Sequence, residues 1–89
     1  MSSSYDLTFD QDWPEYYGQL DGGLQIRAKK LLRKLKEGLD GRHLKYGVDF
    51  YVLEFGQYRM CYKKFEEQKV KKLYFVGDHK EYEKWLGTR

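Results

Sequence analysis

The sequence predicts a single α+β domain, in which an N-terminal strand and a helical hairpin pack on an antiparallel-dominated four-stranded sheet that a short C-terminal helix follows. Its 89 residues provide for one modest hydrophobic core, so we treat residues 1–89 as one domain. One long segment has the period of an amphipathic helix, and three segments after it have the apolar and aromatic content of strands. The predicted order of elements is β-α-α-β-β-β-α, in which the helical hairpin covers one sheet face and leaves the other partly open.

The N-terminal segments predict a strand and a short helix. Residues 5–9, YDLTF, alternate apolar and polar side chains with the period of a half-buried strand. Asp12 is a residue type that caps helices and Pro14 is favoured in a first turn, so DWPEYYGQL is predicted to be helical. The glycines at 22 and 23 end this segment.

Residues 24–39 predict a long amphipathic helix that ends near Gly38 and Gly41. Its apolar residues fall on one stripe, which is typical of a core-facing surface: Leu24, Ala28, Leu31, Leu32, Leu35 and Leu39. Six basic residues occupy its other face: Arg27, Lys29, Lys30, Arg33, Lys34 and Lys36. This basic face fits a solvated surface, an acidic partner or ribosomal RNA equally well.

The C-terminal half predicts three strands and a helix. Residues 49–55, 58–65 and 70–76 read as strands, and the short segments at 56–57 and 66–69 suit hairpin turns. Residues 41–47 read as a polar connector or a short edge strand. The last segment, 78–87, predicts a short helix that Asp78 caps and Gly87 ends.

The composition excludes several classes of enzyme. Cys61 is the single cysteine, so we expect neither an internal disulfide nor a cysteine-based zinc site. The two histidines lack partners at metal-ligand spacing, and no nucleophile elbow or phosphate-binding glycine loop is present. The sequence also has no signal peptide and no membrane-spanning run. We therefore expect a cytoplasmic protein that needs no cofactor and no metal ion.

Charge is distributed unevenly along the chain. Residues 1–26 contain five acidic residues and no lysine or arginine, whereas residues 27–89 contain 17 basic and nine acidic residues, a local net charge of +8. A basic surface favours polyanions because bound phosphates release counterions. The nine tyrosines suit base stacking as well as core packing. A solvated lysine-rich surface explains the charge equally well.

A basic sheet with acid–base side chains can cleave RNA without a metal ion. The ribose 2′-OH attacks the adjacent phosphate, a base accepts its proton, and an acid protonates the 5′ oxygen that leaves. Cationic groups stabilise the charge that develops on the phosphorane. Histidine, tyrosine, lysine and arginine side chains of this sequence are suited to these roles.

Three short motifs resemble the RelE/ParE superfamily of type II toxin–antitoxin toxins, in its RelE-like mRNA interferase branch. They are Tyr58-Arg59-x-x-Tyr62, His43-Leu44-Lys45 and Gly77-Asp78-His79, and the resemblance extends over roughly residues 4–86. It implies a ribosome-dependent, metal-independent endoribonuclease that cuts mRNA in the A site and so inhibits translation. It also implies three partners, namely a cognate antitoxin, mRNA and the ribosome, with ribosomal RNA contacted through the basic surface.

The resemblance assigns roles to individual residues. Arg59 matches the strand arginine that stabilises the transition-state phosphate, and its structural alternative is an ion pair with Glu54. His79 matches a position that supplies an acid or a phosphate ligand, and its alternative is a helix-start residue without a role. Tyr82 matches a tyrosine that stacks on a base or assists catalysis, and its alternative is core packing. Lys80 is a further candidate for phosphate contact.

The resemblance does not decide which residue is the general base, because this chain has Glu54 in a strand where RelE has lysines. His43, Glu54 and Lys45 are the candidates. The predicted catalytic residues are thus Arg59, His79, Tyr82 and His43. The predicted RNA-binding residues are Lys45, Lys63, Lys80 and Arg42.

Two other functions are compatible with the sequence. ParE-like relatives share the fold, lack the ribonuclease residues and act on DNA gyrase, and the presence of Arg59 and His79 argues against that branch. A non-catalytic module that binds RNA or protein would use the same tyrosine-rich basic sheet.

Overall fold

A computed structural model describes residues 4–44 and 49–87 of the chain. The strands are β1 (Asp6–Phe9), β2 (Arg42–His43), β3 (Tyr51–Phe55), β4 (Tyr58–Phe65) and β5 (Val70–Asp78). The helices are α1 (Trp13–Gly18), α2 (Gly22–Glu37) and α3 (His79–Gly87). The α+β class and the predicted sequence of helices and longer strands are confirmed.

The sheet has five strands, in the order β1-β5-β4-β3-β2, rather than the four that we predicted. The additional strand is β2, whose residues Arg42 and His43 pair with Val52 and Tyr51 of β3. This is the short edge strand that the sequence left open as an alternative to a polar connector. β1 runs parallel to β5, and the remaining neighbours are antiparallel.

The two N-terminal helices begin differently. The Asp21 carboxylate accepts a hydrogen bond from the Leu24 N–H at 2.9 Å, which caps α2. Asp12 precedes α1 but makes no side-chain cap, because its backbone is already helical (φ −88°, ψ −10°) rather than extended. The predicted Asp12 cap is therefore wrong, whereas Pro14 does lie in the first turn of α1.

α2 ends in a Schellman motif at Gly38. The Gly38 N–H donates to the Leu35 carbonyl at 3.2 Å, and the Leu39 N–H donates to the Lys34 carbonyl at 2.9 Å. Gly38 has φ 120°, which a residue with a side chain rarely adopts. Because the helix stops here, Leu39 leaves the apolar stripe and is 40% exposed, contrary to our expectation that it would be buried.

Each face of the sheet carries its own hydrophobic core. α1 and α2 cover the first face, where Ala28, Leu35, Met60, Leu73 and Val76 are buried with other apolar residues. α3 covers part of the second face, where the buried side chains are Phe50, Val52, Cys61, Phe75, Tyr82 and Trp85. We expected this second face to be a partly open platform, and α3 instead closes its centre.

A β-bulge in β5 changes which side chains reach the second face. Cys61 of β4 pairs with Phe75 and Tyr62 pairs with Leu73, so Tyr74 has no register partner. Tyr74 and Phe75 both contact the core under α3, which strict strand alternation would not allow. Among the described residues, no helix has the length and apolar character that crossing a bilayer requires.

Lys71 is the buried cation of the first face. Its ammonium group donates to the carbonyls of Leu35 and Leu39, each at 2.7 Å, and lies 3.1 Å from the Asp40 carboxylate. The side chain is fully buried, and burial lowers the pKa of Lys71 although Asp40 opposes that shift. One side chain of β5 thus holds the C-terminal end of α2.

We expect Lys71→Met to lower the free energy of unfolding by about 3 kcal/mol, because it leaves buried carbonyl groups without a donor. Urea denaturation measures the change. Lys72→Met is the matched control, since Lys72 is the half-buried neighbour on the other sheet face. It should change the free energy by less than about 0.5 kcal/mol, and equal losses in the two variants would contradict the bridging role of Lys71.

The interactions of the Glu66 carboxylate should make the stability of the fold depend on pH in the acid range. It accepts hydrogen bonds from the Tyr5 hydroxyl at 2.9 Å and from Lys69 and Lys64 at 3.1 Å, and these lower the pKa of Glu66 from 4.5 to about 2. The lowered pKa means that the stabilisation is present above pH 4.5 and is lost as the pH falls to about 2.

Glu66→Gln should therefore lower the thermal midpoint at neutral pH and flatten its dependence on pH over that acid range. The control is Glu67→Gln, because Glu67 forms no ion pair among the described residues and should leave the pH profile unchanged. Superimposable profiles for Glu66→Gln and the wild type would contradict this interpretation.

Candidate active site

Arg59 lies near the start of β4 on the second sheet face, where two contacts fix its guanidinium group. Glu54 is its register partner on β3, and Arg59 Nη2 lies 3.2 Å from Glu54 Oε2. On the other side, the guanidinium carbon lies 4.9 Å from the centre of the Tyr82 ring, a cation–π contact. The Arg59 side chain is 24% exposed, so it is oriented and still reachable from solvent.

The junction of β5 and α3 places the next group of residues beside Arg59. Gly77 is the register partner of Arg59. The Glu81 N–H donates to the Asp78 carboxylate at 2.8 Å, and the Asp78 N–H donates to the Glu81 carboxylate at 3.1 Å, which together form a capping box. The predicted Asp78 cap is present, and it starts α3 directly at His79.

Gly77 allows α3 to turn back onto the sheet. A Cβ atom at this position would lie 2.7 Å from a Phe75 ring carbon and 3.0 Å from the Glu81 carboxylate. A side chain here would push α3 away from the second core.

These elements enclose an open cleft of ≈570 Å³ on the second face. Its lining residues come from the β3–β4 hairpin and from the start of α3: Glu54, Gly56, Gln57, Arg59, Asp78, His79 and Lys80. Gly56 has φ 64°, as the first position of a type II′ turn requires. The cleft thus gathers three of the predicted site residues, Arg59, His79 and Lys80.

His79 is held along the surface of α3. Its Nε2 atom lies 3.0 Å from the Glu83 carboxylate, one helical turn later, and about half of the imidazole is exposed. The histidine therefore faces the cleft as an accessible group, and Glu83 orients the ring.

Tyr82 supports Arg59 from below and belongs to the second core. The residue is 5% exposed, and its ring centre lies 6.5 Å from that of Phe75. With Arg59 above the ring, neither face is open to an RNA base, so the stacking role that we considered does not fit this arrangement. Burial raises the pKa of the Tyr82 hydroxyl, so this group stays protonated at neutral pH.

His43 lies away from the cleft. Its ring stacks on Tyr51 with centroids 4.3 Å apart and 7° between the planes, and Nε2 lies 3.0 Å from the Asp49 carboxylate. Tyr51 packs against the first core, whereas Glu54 lines the cleft on the second face. The structure therefore does not bring His43 to Arg59. Of the three candidate bases, Glu54 is the one placed at the cleft, and Lys45 lies outside the described residues.

The other predicted RNA-binding residues are spread over the second face. Arg42 Nη2 lies 3.9 Å from Glu54 Oε2, so Arg42 borders the Arg59–Glu54 pair. Lys63 lies further along β4, with its ammonium group 5.0 Å from the centre of the Phe50 ring. Gln57 lines the cleft but was not predicted, although its place in the two-residue turn beside Arg59 could have indicated it.

The arrangement suits an anionic ligand. Arg59, Lys80 and His79 supply donors around one open cleft, and Arg42 extends this group along β2. Among the described residues, no group of three histidine, cysteine or carboxylate side chains is placed to hold a metal ion. A guanidinium, an imidazole and a carboxylate at one cleft can bind a phosphodiester and transfer protons to and from it.

Comparison with solved structures defines the class of fold. No protein-family model and no curated protein matches the sequence. The toxin–antitoxin complex RelBE2 of Mycobacterium tuberculosis contains a chain that superposes with a TM-score of 0.77 at 18% identity, over 85% of this chain and 99% of that one.

Two further matches come from other organisms. A mutant of the E. coli toxin RelE in the free state gives a TM-score of 0.75 at 23% identity, over 92% of this chain and 90% of that one. A chain of the archaeal RelE–RelB complex of Pyrococcus horikoshii gives a TM-score of 0.69 at 15% identity, over 84% of this chain and 94% of that one. The chain therefore has the fold of the RelE toxins, which confirms the resemblance at the level of the fold.

We expect Arg59→Ala to lower the free energy of unfolding by only about 1 kcal/mol, because a partly exposed ion pair and one cation–π contact are lost. Tyr82→Ala should lower the free energy of unfolding by about 3 kcal/mol or more, since it removes a buried ring from the second core. Chemical denaturation of both variants measures the difference. A loss with Arg59→Ala as large as with Tyr82→Ala would show that Arg59 is mainly structural.

Proposed function

We propose that this protein is the toxin of a type II toxin–antitoxin pair, and that it cleaves mRNA in the ribosomal A site. The observation that carries the proposal is the cleft in which Arg59, His79 and Glu54 meet on one face of a RelE fold. Solved chains of this fold occur in complexes with RelB antitoxins, which supports a cognate antitoxin as partner. The protein would act in the cytoplasm, where mRNA and ribosomes are found.

The proposed mechanism uses the side chains of Arg59, Glu54 and His79. A substrate phosphate that binds Arg59 replaces Glu54 as the partner of the guanidinium group. The released carboxylate of Glu54 accepts the 2′ proton, and the 2′ oxygen attacks phosphorus. The bond to the 5′ oxygen breaks, and protonated His79 gives its proton to that oxygen. The products are a 2′,3′-cyclic phosphate and a free 5′-OH, and no metal ion takes part.

The acid, the base and the cationic group should each contribute substantially to the rate of cleavage. Each acid or base typically contributes 10²- to 10⁴-fold, and a group that stabilises developing negative charge contributes about 10²- to 10³-fold. The open cleft leaves the RNA poorly aligned by this chain alone, so the remaining rate enhancement comes from alignment on the ribosome. Basic surface residues, including the exposed face of α2, would contact ribosomal RNA.

Growth arrest on induced expression tests the assigned residues. Arg59→Ala and His79→Ala should each relieve the arrest by reducing cleavage at least 10²-fold, because each removes one chemical function. His43→Ala is the matched control, since it removes an imidazole from the opposite sheet face and should remain toxic. If Arg59→Ala and His79→Ala both arrest growth as the wild type does, the assigned site is wrong.

Mapping of transcript 5′ ends separates the proposed function from the alternatives. Cuts in phase with codons, within translated regions, support A-site cleavage. DNA double-strand breaks with an SOS response and without such cuts would point to a gyrase inhibitor of the ParE type. A binding module would produce neither result.

A further inference from the structure

β4 and β5 place two pairs of lysines directly opposite each other. The register pairs Lys64 with Lys71 and Lys63 with Lys72. Like charges at directly opposed positions destabilise a sheet. A negative group near each pair would offset this repulsion. The two pairs lie on different faces of the sheet.

The pair on the first face has its negative group. The Asp40 carboxylate lies 2.7 Å from the Lys64 ammonium and 3.1 Å from that of Lys71. Lys64 also lies 3.1 Å from Glu66. These carboxylates offset the repulsion within the protein.

The pair on the second face has no such carboxylate among residues 4–44 and 49–87. Neither Lys63 nor Lys72 forms an ion pair within the part of the chain that the structure describes. Both ammonium groups instead lie over the ring of Tyr74, with distances to its centroid of 5.6 Å and 5.3 Å. Two half-buried cations that face each other, with no counter-charge among the described residues, form a place for an external anion.

The β5 bulge supplies an aromatic ring at the same place. Because Tyr74 lacks a register partner, its side chain reaches the second face together with that of Phe75. The Tyr74 ring meets the edge of Phe50 at 5.2 Å and 83°, and Phe50 in turn meets Trp85 of α3 at 5.0 Å. The ring is therefore packed against Phe50 and the two lysines, and it is partly buried.

We propose that Lys63, Lys72 and Tyr74 form a second contact site for RNA, in which a backbone phosphate bridges the two ammonium groups and the tyrosine ring holds these groups in place. This inference rests on the proposed function, because it takes the RNA substrate as the ligand. The sequence predicted RNA binding for Lys63 but not for Lys72 or Tyr74.

The position of this site fits a substrate strand that also enters the cleft. Arg59 contacts Tyr82 near the start of α3, whereas Tyr74 adjoins Phe50 and Trp85 near its end. Arg59 and Lys63 are four residues apart on β4, which is about 13 Å along a strand. The site would hold RNA a few nucleotides from the phosphate that reacts.

Fluorescence anisotropy with the full-length protein and a labelled single-stranded oligouridylate tests the proposal. Tyr74→Leu should weaken binding about tenfold, because the two ammonium groups lose the ring that positions them, whereas Tyr74→Phe keeps the ring and should bind as the wild type does. Lys63→Gln and Lys72→Gln should each reduce the slope of log affinity against log salt concentration by about 0.7. Lys84→Gln, an equal charge change on the exposed surface of α3, should leave the slope unchanged.

Thermal unfolding separates a ligand site from a structural one. Lys63→Gln and Lys72→Gln should unfold close to the wild-type temperature, because relief of the like-charge contact offsets the loss of the cation–π contacts. The proposal fails if Tyr74→Leu binds the oligouridylate with wild-type affinity, or if Lys84→Gln lowers the salt slope as much as the two strand variants do.

A failure of the second RNA site can be distinguished from a failure of the proposed endonuclease function. Wild-type RNA affinity in Tyr74→Leu, together with codon-phased mRNA cuts by the wild type, overturns the second site alone. Loss of affinity in Tyr74→Leu, with no mRNA cuts by the wild type, overturns the endonuclease and supports the RNA site.

Discussion

The buried ammonium group of Lys71 connects the helical layer to the sheet, and the positions of the neighbouring segments follow from it. Its bonds to the carbonyls of Leu35 and Leu39 hold the last turn of α2 against β5. The same group lies 4.3 Å from the centre of the Tyr5 ring, just before β1. Asp40, which Lys71 shares with Lys64, precedes β2. One desolvated cation thus fixes the end of a helix and the approach to both edge strands.

The fold could be predicted largely because its longest elements carry their own patterns. The predicted bounds 58–65 for β4 agree with the structure, and α2 was recognised from its apolar stripe. For residues 41–47 the sequence left a polar connector and a short edge strand open, because two polar residues become a strand only by pairing with β3. The bulge at Tyr74 was hidden for a related reason, since it depends on the register between β4 and β5.

The site could be predicted only in part, because the face on which a residue lies depends on strand pairing. Arg59 and His79 line one cleft because β4 and β5 are adjacent and α3 starts where β5 ends. His43 was placed with them from its motif alone, and its pairing with Tyr51 puts the imidazole on the other face. The support of Arg59 by Tyr82 is a three-dimensional contact between β4 and α3, which residue spacing does not reveal.

The parallel pairing of β1 with β5 has a consequence for the order in which the chain folds during synthesis. Asp6 pairs with Val70, so the first strand to be made has no neighbour in the sheet until the last strand has been added. Such distant pairings make folding slower, because a long stretch of chain must be closed before the contact forms. The nascent chain therefore completes its sheet only after β5 has been made.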